Sequence, residues 1–465
     1  MGRFFIRIRL IGWRNTAMIC TLAAAGLAAS LPARAETLTD ALISAYRHSN
    51  LLEQNRALLR AADEDVAQAV GALRPVINFI ATAGYADPRP ITDNYTASVA
   101  LTAELALYTG GANRLRIDAA KENVLAAREG LLSVEQNVLL SAVSAYMEVI
   151  RAAEFVGLRQ NNVRLITQEL RAARDRFEVG EITRTDVSLA QARVAAARAG
   201  LAAAQGDLNV AREAYKAAIG HYPGNLRRPT RPPMTARSVE AARAVAVRTH
   251  PLIRQRQREV AAAELNVQIA RAAMKPSITG SLSAGIDQDR ASSNSASLRL
   301  TQPIYQGGRL SSLLRQALAL VDADRAELLQ SVVTVEQDVG EAWSNLAVAI
   351  ASTEANARQV RAAQVAFNGV REEATLGART TLDVLDSEQD LLDARAALIE
   401  SEIQQFVAVY SVLSTMGLLT AEHLKLGIVT YDPAAYYNAV RQAPTRFVSP
   451  QGEKLDRVLK SLLKD

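Results

Sequence analysis

The stretch YTASVALTAELALYTGG, residues 95–111, changes its pattern at its end. From Tyr95 to Leu107 the odd positions are apolar: Tyr95, Ala97, Val99, Leu101, Ala103, Leu105 and Leu107. Thr96, Ser98, Thr102 and Glu104 fall on even positions. A period of two is that of a strand with one apolar and one wet face. Gly110 and Gly111 then permit a sharp change of direction. No proline occurs between Pro90 and Pro223, so a long helix can follow.

Three further segments alternate in the same way. Ile278, Gly280, Leu282, Ala284 and Ile286 interleave with Ser277, Thr279, Ser281, Ser283 and Asp287. Ala296, Leu298, Leu300 and Ile304 interleave with Ser297, Arg299 and Thr301. The first segment, Val76 to Tyr85, is less regular, because Ile80 interrupts its polar face. Strands are therefore expected at about 76–86, 95–107, 277–287 and 296–305. Their lengths match the ~9–11 residues of a transmembrane strand. The connections ADPRPITDN (86–94) and QDRASSN (288–294) are polar, as external loops should be. Tyr108 and Tyr305 mark strand-to-helix junctions, where an aromatic at the membrane interface would lie. One hairpin of this kind would fit a β-sandwich equally well. Four, in a chain with no globular β domain, favour the membrane.

The chain is two copies of one unit. LYTGG (107–111) returns as IYQGG (304–308), and the same spacing pairs Arg128 with Arg325, Gly180 with Gly377, and Asp186 with Asp383. Upstream the spacing is four residues longer: Ala62, Val66 and Pro75 match Ala263, Val267 and Pro276. The first unit is expected to cover 36–222 and the second 238–425, with a linker at 223–237 and a tail at 426–465. Each begins with a helix of about 35 residues, Leu38 to Leu73 or Ser238 to Met274, ended by a proline. A strand hairpin follows, then a helical hairpin at about 112–219 or 309–418. The outbound helix, from about Ala112 to Asp175, is ~95 Å long at 1.5 Å per residue. Its return leg is about half as long, so the next unit's first helix is expected to stack end to end on it.

The first 35 residues are set apart. Arg3, Arg7, Arg9 and Arg14 precede an apolar run from Ala17 to Leu31, too short to span a bilayer, and Pro32-Ala33-Arg34-Ala35 resembles a signal-peptidase site. Residues 1–35 thus read as a signal peptide. Five of the 53 Lys and Arg residues and none of the 48 acids lie there, leaving 48 against 48. The basic balance belongs to the leader and gives no reason to expect nucleic acid. Cys20, the single cysteine, lies there too, without a lipoprotein box around it. His48, His221, His250 and His423 have no metal-ligand spacing, and no phosphate loop or nucleophile elbow occurs. No cofactor, metal or catalytic residue is expected, and an enzyme is not.

Four strands cannot close a barrel, since the smallest membrane barrels have ~8, and open edges in lipid leave backbone groups unsatisfied. Copies must pool their strands, which makes the protein an obligate oligomer. The leader, the duplicated unit, IYQGG after the fourth strand, and the two turns RFEVGEITRTDV (176–187) and EATLGARTTLDV (373–384) together resemble the TolC family of outer-membrane export channels. The resemblance covers about residues 36–425. It implies a mainly α fold with a small transmembrane β part: a homotrimer whose twelve strands form one β-barrel in outer-membrane lipid, continued by a periplasmic α-helical barrel. The tail would lie partly in a belt around its equator. The implied partners are a periplasmic adaptor and an inner-membrane pump, ABC or proton-driven. TYDPAAYYNAVR (430–441) resembles members that serve type I protein secretion; multidrug efflux is the other implied use. A periplasmic coiled-coil protein without a pore is the alternative reading of the long helices alone.

Under the resemblance, the turns with Gly180 and Gly377 are the adaptor-contacting tips. Asp383 and Asp386 would ring the periplasmic constriction, and Arg379 would latch the second hairpin to the first through Thr185 and Asp186. A family tyrosine at this latch is replaced here by Ala374. From the residues themselves, Asp383, Asp386, Asp390 and Asp393 share one helical stripe. The first unit has Asp186, Leu189, Arg193 and Ala196 there instead. Thr183-x-x-Asp186 and Thr380-x-x-Asp383 also have the form of capping boxes, so helix capping stands beside the gate as a reading of both aspartates.

Overall fold

The computed structural model describes residues 35–85, 95–230, 232–233, 235–445, 453–454 and 457–461. Residues 1–34 of the expected signal peptide, and the first external loop, lie outside the described residues.

Each unit opens with two helices rather than one: α1 (Leu38–His48) and α2 (Asn50–Gly71), then α5 (Val239–Thr249) and α6 (Pro251–Ala272). Sequence reading expected single helices here. The breaks have local causes. Ser49 is extended, and its hydroxyl accepts from the Leu52 N–H at 3.2 Å, which starts a new helix. His250 precedes Pro251, is extended for that reason, and caps α6 through Nδ1.

Strands β1 (Val76–Tyr85), β2 (Tyr95–Tyr108), β3 (Ser277–Asp287) and β4 (Ser292–Thr301) form one antiparallel sheet in chain order. The register puts the two alternations in phase. Ile77, Ala103, Leu282 and Ala296 lie in one cross-strand row, and Asn78, Thr102, Ser283 and Ser295 in the next. Ile80 falls on the polar face, opposite Ala100, whose neighbours are Gly285 and then Ser293. The fourth strand lies earlier than the expected 296–305. Pro303 has no N–H to give the ladder, and Ile304 and Tyr305 stand beyond the strand, 94% and 86% exposed.

Beyond the glycine pairs run α3 (Ala112–Glu178) and α7 (Arg309–Thr375), each of 67 residues. They return as α4 (Arg184–Ile219) and α8 (Thr381–Thr415). The helix that continues each return leg belongs to the same unit, not the next. Ser44 of α1 donates to the carbonyl of Ile219, and Thr249 of α5 to that of Met416, at 3.0 and 2.8 Å. These bonds satisfy carbonyls that a helix end leaves free.

The largest apolar core lies halfway along the long helices, where Leu42, Leu139, Val143, Tyr215, Ile219 and Leu413 pack. The hydroxyl of Tyr146, fully buried, lies 2.6 Å from the Arg227 carbonyl and 2.9 Å from that of Glu36 and shares its one proton between them, holding both the first residues and the inter-unit linker to α3. A short helix α9 (Pro433–Val440) returns along α2.

Candidate functional site at the hairpin tips

Both tips are built from the same local chemistry. After α3, Gly180 takes φ 84°, and the Glu181 N–H closes on the Arg176 carbonyl at 2.9 Å. After α7, Gly377 takes φ 77°, and Ala378 closes on Glu373 at 2.9 Å. A side chain at either glycine would strain the turn. Three residues later each return helix starts with a complete capping box. Asp186 Oδ2 accepts from the Thr183 N–H (2.9 Å) and hydroxyl (2.7 Å). Asp383 Oδ2 does the same with Thr380, at 2.9 and 2.8 Å. The Thr183 hydroxyl, then its N–H, hold Asp186 below the usual carboxylate range; the Thr380 N–H, then its hydroxyl, do so for Asp383. Capping is thus an actual role of both residues.

The remaining expected residues are distributed as follows. Thr185 is exposed in the first turn of α4. Within the protomer Arg379 donates to Glu373 at 2.8 Å, in its own hairpin. Asp386 reaches the other hairpin: Arg193 of α4 donates to its Oδ1 at 2.6 Å. Ala374 is buried with Phe367, Val384 and Leu391, so the position of the absent tyrosine is part of a packed core. At the opposite end of the molecule, Tyr108 closes β2 opposite Ile278, after a bulge.

Sequence reading missed the seam between the hairpins. Leu385 of α8 is 1% exposed and packs among Ile166, Leu170, Ala190 and Val194 of the first hairpin. Burying such a side chain stabilises by ~1.5–3 kcal/mol. One turn on, Asn162 of α3 donates to Glu388 Oε1 at 2.5 Å, and Arg371 of α7 pairs with Glu169 of α3 at 3.2 Å. Glu388 is buried, and that burial pushes its carboxyl up to about 7, aided by Glu169 and opposed by Asn162 and Arg193. One signal for the seam was present. Arg193 occupies the position that repeats as Asp390, so opposite charges fall on faces that the duplication sets side by side.

The chain as a whole resembles known proteins. The outer membrane efflux protein family matches residues 42–221 and 244–418. The outer membrane efflux protein BepC of Brucella suis biovar 1 (strain 1330) is 37% identical over 431 residues, spanning 90% of this chain and 94% of its own. The outer membrane protein TolC of Vibrio cholerae serotype O1 is 25% identical over 412 residues, 83% of this chain and 92% of the relative. A crystal structure of CusC superposes with a TM-score of 0.74 at 18% identity, covering 82% of this chain and 91% of that one, and shows the same fold. With both repeats matched and a relative this similar along nearly its whole length, the chain belongs to the outer membrane efflux protein family: it is an outer-membrane channel protein and not an enzyme.

Proposed function

We propose that three copies of this chain form a passive export duct, served by a periplasmic adaptor and an inner-membrane pump. The observation that carries the reading is the four-stranded sheet. It has one apolar face, and among the described residues β1 and β4 each leave one edge without a strand partner. Pooling three sheets gives twelve strands and removes every edge, which lipid requires. Helices of 67 residues, ~100 Å at 1.5 Å per residue, then carry the lumen into the periplasm. The turns at Gly180 and Gly377 are the surfaces offered to the adaptor, with Val179 and Leu376 exposed beside them.

At the tips Asp386, with Asp383, lines the constriction, and Arg379 with Thr185 and Asp186 latches the second hairpin to the first. The resemblance of the 430–441 segment to type I secretion members favours an exported polypeptide as the substrate, delivered by an ABC pump.

Reconstitution tests the reading. Purified protein in detergent should be a stable trimer, heat-modifiable on gels, and should conduct ions in a planar bilayer. Asp383→Ala/Asp386→Ala should lose cation preference and block by multivalent cations while remaining trimeric, and Arg379→Ser should raise the resting conductance. A non-conducting monomer would remove the duct. Unaltered selectivity in the double variant would leave the aspartates as caps and surface charges.

A further inference from the structure

Between the hairpins, Glu388 has a buried carboxyl. It belongs to α8, is 5% exposed, and takes a single hydrogen bond, from Asn162 of α3. Its second oxygen, Oε2, has no partner. The side chain lines a partly open pocket of about 110 Å³ between α3, α7 and α8, with Leu165, Phe367, Gln364 and Arg395. The charged and titratable groups around it are committed elsewhere. Glu169 of α3 is paired with Arg371 of α7. Arg193 of α4 is paired with Asp386. Arg395, on the same helix as Glu388, donates to Gln364 Oε1 at 2.5 Å. A neutral carboxyl fits this setting, because it buries no charge and its carbonyl oxygen still accepts from Asn162, though more weakly than a carboxylate would. An ionised one leaves a buried charge with one donor, an arrangement that is relieved by admitting water or separating the helices.

We propose that Glu388 is a positioning residue of the tips: as the neutral acid it holds the second hairpin against the first, and as the carboxylate it loosens that contact. The proposal rests on the tips being the gate only for its effect on conduction, not for the contact itself.

The sign follows from linkage. The docked hairpins hold the Glu388 proton up to about pH 7, whereas an undocked, hydrated glutamate loses it near its usual ~4.3. The contact is therefore at full strength below the undocked value. It weakens by about tenfold per pH unit across the interval between the two values, and changes no further once both forms are ionised.

The experiment uses the assembled channel diluted with unlabelled protein, so that spin labels at Glu181→Cys and Ala378→Cys report the distance between the two turns of one protomer. Wild type should show a narrow, short distance at pH 5 and a longer, broader one at pH 8. Glu388→Gln, which keeps the shape and cannot ionise, should hold the pH 5 distribution at both. Asn162→Ala removes the donor that lowers the Glu388 proton affinity, and should move the midpoint to higher pH. Asp390→Asn, at an exposed carboxylate of the same helix, should leave the midpoint in place, which separates the buried carboxyl from an exposed one. Equal distances at both pH values in wild type, or an equal pH response in Glu388→Gln, would overturn the proposal. Single-channel conductance recorded over the same pH range separates it from the gate reading. If the labels move and conductance does not, the contact is as proposed and the constriction lies elsewhere.

Discussion

The same pair of charges meets two fates in the two repeats. In the second, Glu264 of α6 and Arg325 of α7 form an exposed ion pair at 2.6 Å. In the first, the matching Asp63 is fully buried and neither of its oxygens has a partner. The matching Arg128 lies instead 5.4 Å from the centre of the Tyr437 ring. The difference is the tail. Tyr436 donates to Glu64 at 2.8 Å, Arg56 lies against the Tyr431 ring, and Arg74 donates to the carbonyls of Gln442 and Ala443. The segment therefore straps α2 along its length. Its Tyr431 clusters with Leu59 and Val66, one turn to either side of Asp63 on α2, and burial pushes the Asp63 carboxyl up to about 7. Duplication copied the charges; what covers them decides what they do.

The comparison can be broken at several points, most strongly at the tips. Leu385 repeats Ser188, yet the leucine is buried in the other hairpin's core and the serine is exposed. Leu385→Ala should destabilise by about 2–5 kcal/mol in guanidinium unfolding, and Ser188→Ala by less than about 0.5 kcal/mol. Asp63→Asn should come next, and only at high pH. A carboxyl with raised proton affinity supports the fold below its unfolded value and ceases to as pH rises through about 7. The variant should thus be more stable than wild type at pH 8 by a few kcal/mol, since each tenfold rise in proton affinity is worth roughly 1.4 kcal/mol. At pH 3 it should be no more stable. Equal gains at both would mean that packing, not charge, separates the repeats.

Tyr437→Ala should cost about 1 kcal/mol and expose the strap to protease, whereas Arg325→Ala in the uncovered repeat should cost less than about 1 kcal/mol. Arg193→Gln should likewise cost little stability. Its pair with Asp386 is partly exposed and contributes under about 1 kcal/mol, but freeing that carboxylate should raise the cation preference of the mouth in bilayer recordings.

Much of this is legible in the sequence alone. Alternation located the strands, the spacing of LYTGG and IYQGG exposed the duplication, and both capping boxes formed as Thr183 and Thr380 suggested. Two misses were local and readable in hindsight. Ser49 and Pro251 are start signals that split the opening helices, and Pro303 ends β4 early. The seam is different in kind. Which residue of α8 meets Asn162 or Arg193 depends on how far one long helix slides along another, and no spacing within either helix encodes that. The same applies to Arg379, whose partner inside the protomer is a glutamate of its own hairpin.

The register of β2 on β3 has a consequence for how the chain folds. Tyr108 pairs with Ile278, so the seam at the centre of the sheet joins residues separated by the whole first helical hairpin and the opening helices of the second unit. Helices form locally and fast, whereas pairings distant in sequence are slow. Here the slow step is shortened by the helices themselves, because α3 runs outward and α4, followed by α5 and α6, leads the chain back to the strands. The helical hairpin thus acts as the tether that brings β3 to β2, and the β2–β3 pairing is expected to form after the local strand hairpins and the helices.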